Sequence, residues 1–186
     1  QRQMCIRDST SLGGSRMPPE VVEAWVEASK HFVDMEALHR RAGEIIAEIT
    51  GAEAGLVTSG ASGALLLAAA ACIAGKDPEK MRRLPHSEGM PNEIVFPGGA
   101  SGYDNCYMAG GARIVTVGKS RVDFTDEEVE AAINEKTVAL GYVFSTPTGE
   151  EPLKRLIRIG RRHNLPVIVD AAAELPPVEN LRKIVA

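Results

Sequence analysis

The sequence predicts an α/β protein with a mainly parallel sheet and helices on both faces, on three observations. From residue 54 onward, short β-branched runs alternate with helical stretches of about ten residues or more, the spacing that parallel crossovers need. Val167, Ile168 and Val169 are apolar without alternation, as expected of a strand buried on both faces. Turns rich in glycine and proline punctuate the runs, as at residues 59–63 and 97–102.

Taken in order, residues 1–9 show no periodicity. They resemble translated adapter read-through at the end of a gene fragment, and are set aside with Cys5 as a non-native tail. Residues 10–50 form an N-terminal loop and helices. Pro18 and Pro19 suit the first turn of a helix carrying Val21, Val22, Trp25 and Val26 at helical spacing. A second helix places Met35, Leu38, Ala42, Ile45, Ile46 and Ile49 on one stripe and ends at Gly51, a C-terminal cap.

Residues 51–186 read as an incomplete large domain of alternating strands and helices. Leu56, Val57 and Thr58 are expected to form a short strand, followed by a turn and an apolar helix over residues 64–74. Strands follow at 93–96, 113–117, 137–144 and 167–169. Thr125 and Glu128 make a capping box for the helix that carries Val129. Pro152 opens a helix whose Leu153, Leu156 and Ile157 are expected to face the sheet. The helical pattern from residue 180 stops without a cap, so the chain reads as a fragment cut at both ends.

The composition, 44% apolar and 25% charged, is that of a globular protein. A formal charge of -4 gives no overall attraction to nucleic acid or to anionic membranes. The longest apolar run is too short to span a bilayer, and no secretory leader opens the chain. Cys5, Cys72 and Cys106 form neither a disulfide framework nor a metal-binding pair, which points to a reducing, cytoplasmic setting.

Two stretches carry candidate chemistry. Ser59-Gly60-Ala61-Ser62-Gly63 joins a strand to a helix, so small residues and free backbone N–H groups could admit a phosphate; the alternative is a tight turn with an ordinary cap. It is not a dinucleotide fingerprint, and Ala64 replaces the last glycine of a hydrolase nucleophile elbow. Gly118-Lys119-Ser120 lacks the earlier glycine of a P-loop, since Arg113 stands there. Asp170 ends the last strand, where open α/β sheets hold ligands, and reads as a functional carboxylate, a helix cap or a surface acid. Glu174 is open to the same readings. Tyr103, after a glycine-rich loop, suits a ring contact or the core.

Two further groupings are weaker. His31, Asp34 and His39 could meet around a metal only if the turn between two helices folded back. Lys154, Arg158, Arg161 and Arg162 share a helix face that reads as solvated surface or as a nucleic-acid stripe.

Thr58-Ser59-Gly60-Ala61-Ser62 after an early strand, paired with Val167-Ile168-Val169-Asp170-Ala171-Ala172-Ala173-Glu174-Leu175-Pro176 after a later one, resembles the large domain of fold-type I pyridoxal-phosphate enzymes. Leu12-Gly13-Gly14-Ser15-Arg16-Met17-Pro18 and Phe32-Val33-Asp34-Met35 resemble the branch related to selenocysteine synthase and D-glucosaminate-6-phosphate ammonia-lyase. The resemblance implies that Gly60, Ala61 and Ser62 hold the cofactor phosphate, that Asp170 pairs with the pyridine nitrogen, and that Ala172 lies against a ring face. It implies weaker roles near the substrate for Arg16, Tyr103 and Glu174, and a dimer or larger homo-oligomer.

The sequence departs from the family pattern at Gly99 and Ala100, where relatives carry a basic or imidazole pair, so the ring-stacking residue stays open. The lysine that links the cofactor falls on a later segment in the family, and Lys183 is the only lysine after Asp170, so that lysine is expected outside this chain. The implied activity is that of a lyase that removes an α-proton and ammonia from an amino acid or amino sugar acid, with the segment itself inactive. The alternatives are a transferase on aminoacyl-tRNA, a non-catalytic α/β module that binds a phosphate ligand and, more distantly, an α/β-hydrolase.

Overall fold

The computed structural model describes residues 17–145, 147, 149–175 and 177–185. The elements, in chain order, are α1 (Pro19–Ala28), α2 (Met35–Thr50), α3 (Ala61–Ala74), α4 (Pro78–Arg83), β1 (Glu93–Pro97), α5 (Asp104–Ala109), β2 (Arg113–Val117), α6 (Asp126–Ala132), β3 (Thr137–Val143), α7 (Glu151–His163), β4 (Val167–Asp170) and α8 (Asn180–Lys183). They fall into two compact units. One comprises the described residues up to Val57 and those from Ala173 onward; the other is Thr58–Ala172.

The first unit is helical. Pro19 sits in the first turn of α1, as its missing N–H allows, and Asp34 caps α2 by accepting from the Ala37 N–H at 2.8 Å. Gly51 ends α2 in the left-handed region, as the sequence predicts. The expected apolar stripes are present in register but open to solvent: no residue of α1 is buried, and in α2 only Gly43 is. Gly43 is buried because the backbone at Gly55 crosses α2 there, where a side chain would overlap the Gly55 carbonyl. The Arg182 guanidinium ties α8 to the end of α2 through the Ile49 carbonyl at 2.9 Å.

The second unit is a parallel four-stranded sheet in the order β2-β1-β3-β4. Leu140 pairs with Val167 and Val143 with Asp170. The side-chain period of two therefore puts Phe96, Gly141, Val143, Ile168 and Asp170 on one face. Helices α3 and α5 cover that face with Leu65, Ala69, Ile73 and Tyr107. Helices α6 and α7 cover the other, and Gly160 of α7 lets that helix close on Leu140 and Val167.

Three expectations change. Leu56, Val57 and Thr58 do not form a strand: Leu56 and Val57 are exposed and have no ladder partner among the described residues, so the described strands number four. β4 is half-buried until Asp170, because among the described residues it pairs with β3 alone; it is β1, between β2 and β3, that is buried throughout. In α7 the inward set is Leu153, Leu156, Ile159 and Gly160, and Ile157 lies on the flank.

The predicted capping box at α6 is present in both directions, Thr125 Oγ1 with the Glu128 N–H and Glu128 with the Thr125 N–H. Asp126, at the start of α6, takes two bonds from Arg155 of α7, whose guanidinium lies 4.8 Å above the Phe124 ring. The basic face of α7 is largely paired: Lys154 with Glu150 at 2.9 Å, Arg158 with Glu151 at 2.9 Å and Arg162 with Glu130 at 2.7 Å. That pairing fits a solvated surface rather than a stripe that neutralises phosphates.

Candidate active site

The two halves of the site come from opposite ends of the second unit's sequence. Gly60 precedes α3 with φ 134° and ψ 178°, a backbone region that only glycine adopts readily. A Cβ there would meet nothing within 4 Å, so backbone conformation, not crowding, calls for glycine. The Thr58 hydroxyl donates to the Gly60 carbonyl at 2.8 Å and fixes the turn. No side chain caps α3, in contrast to α2 and α6. The first-turn N–H groups at the exposed Ala61 and Ser62 therefore stand at the positive end of a helix of 14 residues, the arrangement that receives a phosphate.

Asp170 closes β4 and is 9% exposed. One carboxylate oxygen, Oδ1, accepts from the Ala172 N–H at 3.1 Å, and the Phe144 N–H donates to the Asp170 carbonyl at 2.8 Å. These bonds anchor the turn and leave further acceptor capacity on the carboxylate. Helix α3 packs on β3 and β4, so the uncapped helix and the buried acid belong to one face of one unit. Ala172 follows with its methyl group exposed beside the strand end.

One group at this face is not apparent from the sequence. Tyr107 of α5 is fully buried, and its ring stands edge-on to Phe96 with centroids 5.1 Å apart at 71°. Its hydroxyl is one of two buried side-chain polar atoms that have no hydrogen-bond partner among the described residues; the other is on Tyr142. Burial, then the charge of Asp170, then Cys106 and Asp104, raise the phenol well above its ordinary pKa. The only sequence signal in this region, a tyrosine after a glycine-rich loop, singles out Tyr103 instead.

The remaining candidates are dispersed. Tyr103 is 50% exposed at the start of α5 and is not a core residue. Glu174 is buried and Lys183 exposed, both in the first unit. Arg16 lies outside the described residues. Ala100 is buried in the core and Gly99 has φ 76°, so neither extends a side chain over a ring. The His31 imidazole lies 3.1 Å from Glu27 and Asp34 caps α2; among the described residues no three potential ligands gather around a metal position.

A cavity of about 540 Å³ opens at the amino ends of β1 and β2, beside Asn92, Glu93, Arg113 and Lys136. It is at the wrong end of the sheet for the chemistry above, since α/β sheets bind ligands at strand carboxyl ends. Its charged wall is already engaged: buried Glu93 accepts from Asn134 at 2.9 Å and pairs with Arg113.

No family profile matches the chain. A D-glucosaminate-6-phosphate ammonia lyase of Salmonella typhimurium is 39% identical over 185 residues, covering 95% of this chain and 49% of that protein. A solved structure of D-glucosaminate-6-phosphate ammonia-lyase superposes with a TM-score of 0.83 at 38% identity, over 93% of this chain and 48% of the other. The fold is that of the fold-type I pyridoxal-phosphate enzymes. Two other relatives extend the comparison. A 5'-C-glycyluridine monooxygenase-decarboxylase of a Streptomyces species is 40% identical over 177 residues, 90% of this chain and 44% of that protein. An L-seryl-tRNA(Sec) selenium transferase of Nitratidesulfovibrio vulgaris is 30% identical over 177 residues, 87% of this chain and 35% of that protein. The chain thus spans about half the length, or less, of the curated relatives it matches, and its fold-type I resemblance runs through the selenocysteine synthase and ammonia-lyase branch.

Proposed function

We propose that this chain is part of a pyridoxal-phosphate-dependent lyase that removes an α-proton and then ammonia from an amino acid or amino sugar acid. One observation carries the reading: an uncapped helix start at Gly60, Ala61 and Ser62 and a buried strand-end carboxylate at Asp170 share a sheet face, in a chain 39% identical to an ammonia lyase. The residues fit the cofactor. A buried carboxylate with spare acceptor capacity suits a protonated ring nitrogen, and backbone N–H groups with open space above Gly60 suit a phosphate.

Bound pyridoxal phosphate supplies an electron sink for negative charge at the substrate's α-carbon. The part played by Asp170 is to keep the proton on the ring nitrogen, because a carboxylate beside it favours the charged form. Gly60, Ala61 and Ser62 would hold the phosphate through their backbone N–H groups. Ala172, with a single methyl group, leaves space for a ring face. Arg16, Tyr103 and Glu174 are secondary positions for substrate contact. We place the protein in the cytoplasm as a dimer or larger homo-oligomer acting on a small molecule. The ion-paired face of α7 favours this over a transferase acting on tRNA.

The test is cofactor binding and ammonia release by the full-length protein, with D-glucosaminate-6-phosphate as first substrate. Wild type should take up pyridoxal phosphate with a new visible absorption band, and Asp170→Ala should lose at least tenfold in affinity, about 1.4 kcal/mol. Absence of any such band in the full-length wild type refutes the reading.

A further inference from the structure

We propose that the apolar stripe of α2 is a seam for a second copy of this chain. The two α2 helices pack antiparallel across a two-fold axis, so that Arg41 of each faces Glu48 of the other. The inference gives a surface to the homo-oligomer proposed above and does not depend on the cofactor.

Three observations carry it. The first is spacing. Met35, Leu38, Ala42, Ile45 and Ile49 recur at intervals of three, four, three and four residues. That is the a and d repeat of a helix that packs along another helix, narrower than the stripe that covers a broad core. The second is exposure. Met35, Leu38, Ile45 and Ile49 are 40–59% exposed, and Ala42 is half-buried. Helix α2 is fastened to its own unit elsewhere on its circumference, through Gly43 and Ile46 against the Gly55 backbone, which leaves the seam open. Phe32 and Val33, just before α2, are exposed as well. Together these side chains present on the order of 600 Å² of apolar surface, the upper end of what a monomer displays and most of what one partner gives to a stable interface. Two heptads are too few to hold a helix pair alone, so the seam is one part of a wider contact.

The third is charge. Arg41 and Glu48 border the seam on one side. Among the described residues Glu48 has no ion-pair partner, and Arg41 reaches only the exposed Glu44 at 3.0 Å, a contact worth little. Antiparallel pairing sets Leu38 against Ile49, the small Ala42 against the larger Ile45, and Arg41 beside Glu48, each contact made twice by symmetry. A parallel pair would set Arg41 beside Ile46 and match neither charge. The surface is thus complementary to itself, which is what a two-fold contact between identical chains requires.

The test is self-association of the full-length protein, measured by sedimentation equilibrium at low salt. Wild type is expected to form at least a dimer. Arg41→Glu and Glu48→Arg, both at exposed positions, each turn two attractive contacts into two repulsive ones and should weaken association about tenfold. An equimolar mixture of the two variants restores opposite charges in both contacts and should associate as tightly as wild type. That recovery requires residues 41 and 48 to meet between chains; a seam covered by the rest of its own polypeptide cannot produce it. A monomeric wild type, single variants that associate as wild type does, or a mixture no tighter than its components overturns the inference. Each of those results leaves the cofactor reading standing, because pyridoxal phosphate titration of the same proteins reports on it separately.

Discussion

Replacing Glu93 by glutamine is a sharp test of how the sheet's amino end is held together. Glu93 is 2% exposed, accepts from Asn134 Nδ2 at 2.9 Å and pairs with Arg113. The Asn134 bond and then the Arg113 bond hold its carboxyl below the ordinary value of 4.5. A hydrogen bond to a buried charge contributes about 1.5–3 kcal/mol. Arg113 is 63% exposed on its side chain, so solvent screens its share to about 0–1 kcal/mol. Glutamine keeps the volume but gives up the charge and sets an N–H against Arg113, for a net loss of about 2 kcal/mol. For a chain of this size that lowers the melting temperature by roughly 4–8 °C. Because the folded-state pKa is depressed, the contribution is complete above 4.5 and fades as pH falls through the folded value. Urea denaturation near neutral pH should show the full difference between Glu93→Gln and wild type, narrowing in acid. Equal stability at neutral pH, or a difference that persists unchanged in strong acid, refutes the reasoning.

Two further substitutions probe the site's framework. Gly141→Ala drives a methyl into the buried Phe96 ring and should cost about 1–3 kcal/mol or more in urea, with Phe96→Leu in the same chain restoring part of the loss. Gly60→Ala meets no atom within 4 Å, so its cost of about 1–3 kcal/mol is backbone strain alone. In the full-length protein it should weaken pyridoxal phosphate binding along with stability; a stability loss with unchanged affinity would separate Gly60 from the phosphate position.

Much of the second unit was legible because its signals are local. Alternation, the Thr125 to Glu128 box and the turns marked β1, β2, β3, α6 and α7 within a residue or two. What the sequence did not contain was neighbour identity. Leu56, Val57 and Thr58 have strand chemistry, but a strand also needs a partner, and none pairs with them among the described residues. β4 reads as fully buried from its composition, yet its exposure depends on its rank in the sheet, which crossovers decide. At the candidate site, Gly60, Ala61, Ser62 and Asp170 stood out because turns and strand ends leave marks in sequence. Tyr107 did not, since an orphaned hydroxyl is a property of its surroundings.

The pairing of β4 with β3 alone among the described residues has a consequence for timing. Among the described residues its ladder runs to β3 alone, over four register pairs. An element with one ladder partner and half-buried side chains opens at lower free energy than the centre of the sheet, so its amides should exchange with solvent sooner than those of β1. Asp170 closes that element, while the Gly60 turn belongs to a helix far away in the chain. Within the described residues Asp170 should therefore open more readily than the centre of the sheet, and on the function proposed above a ligand paired with Asp170 would slow exchange at β4 selectively.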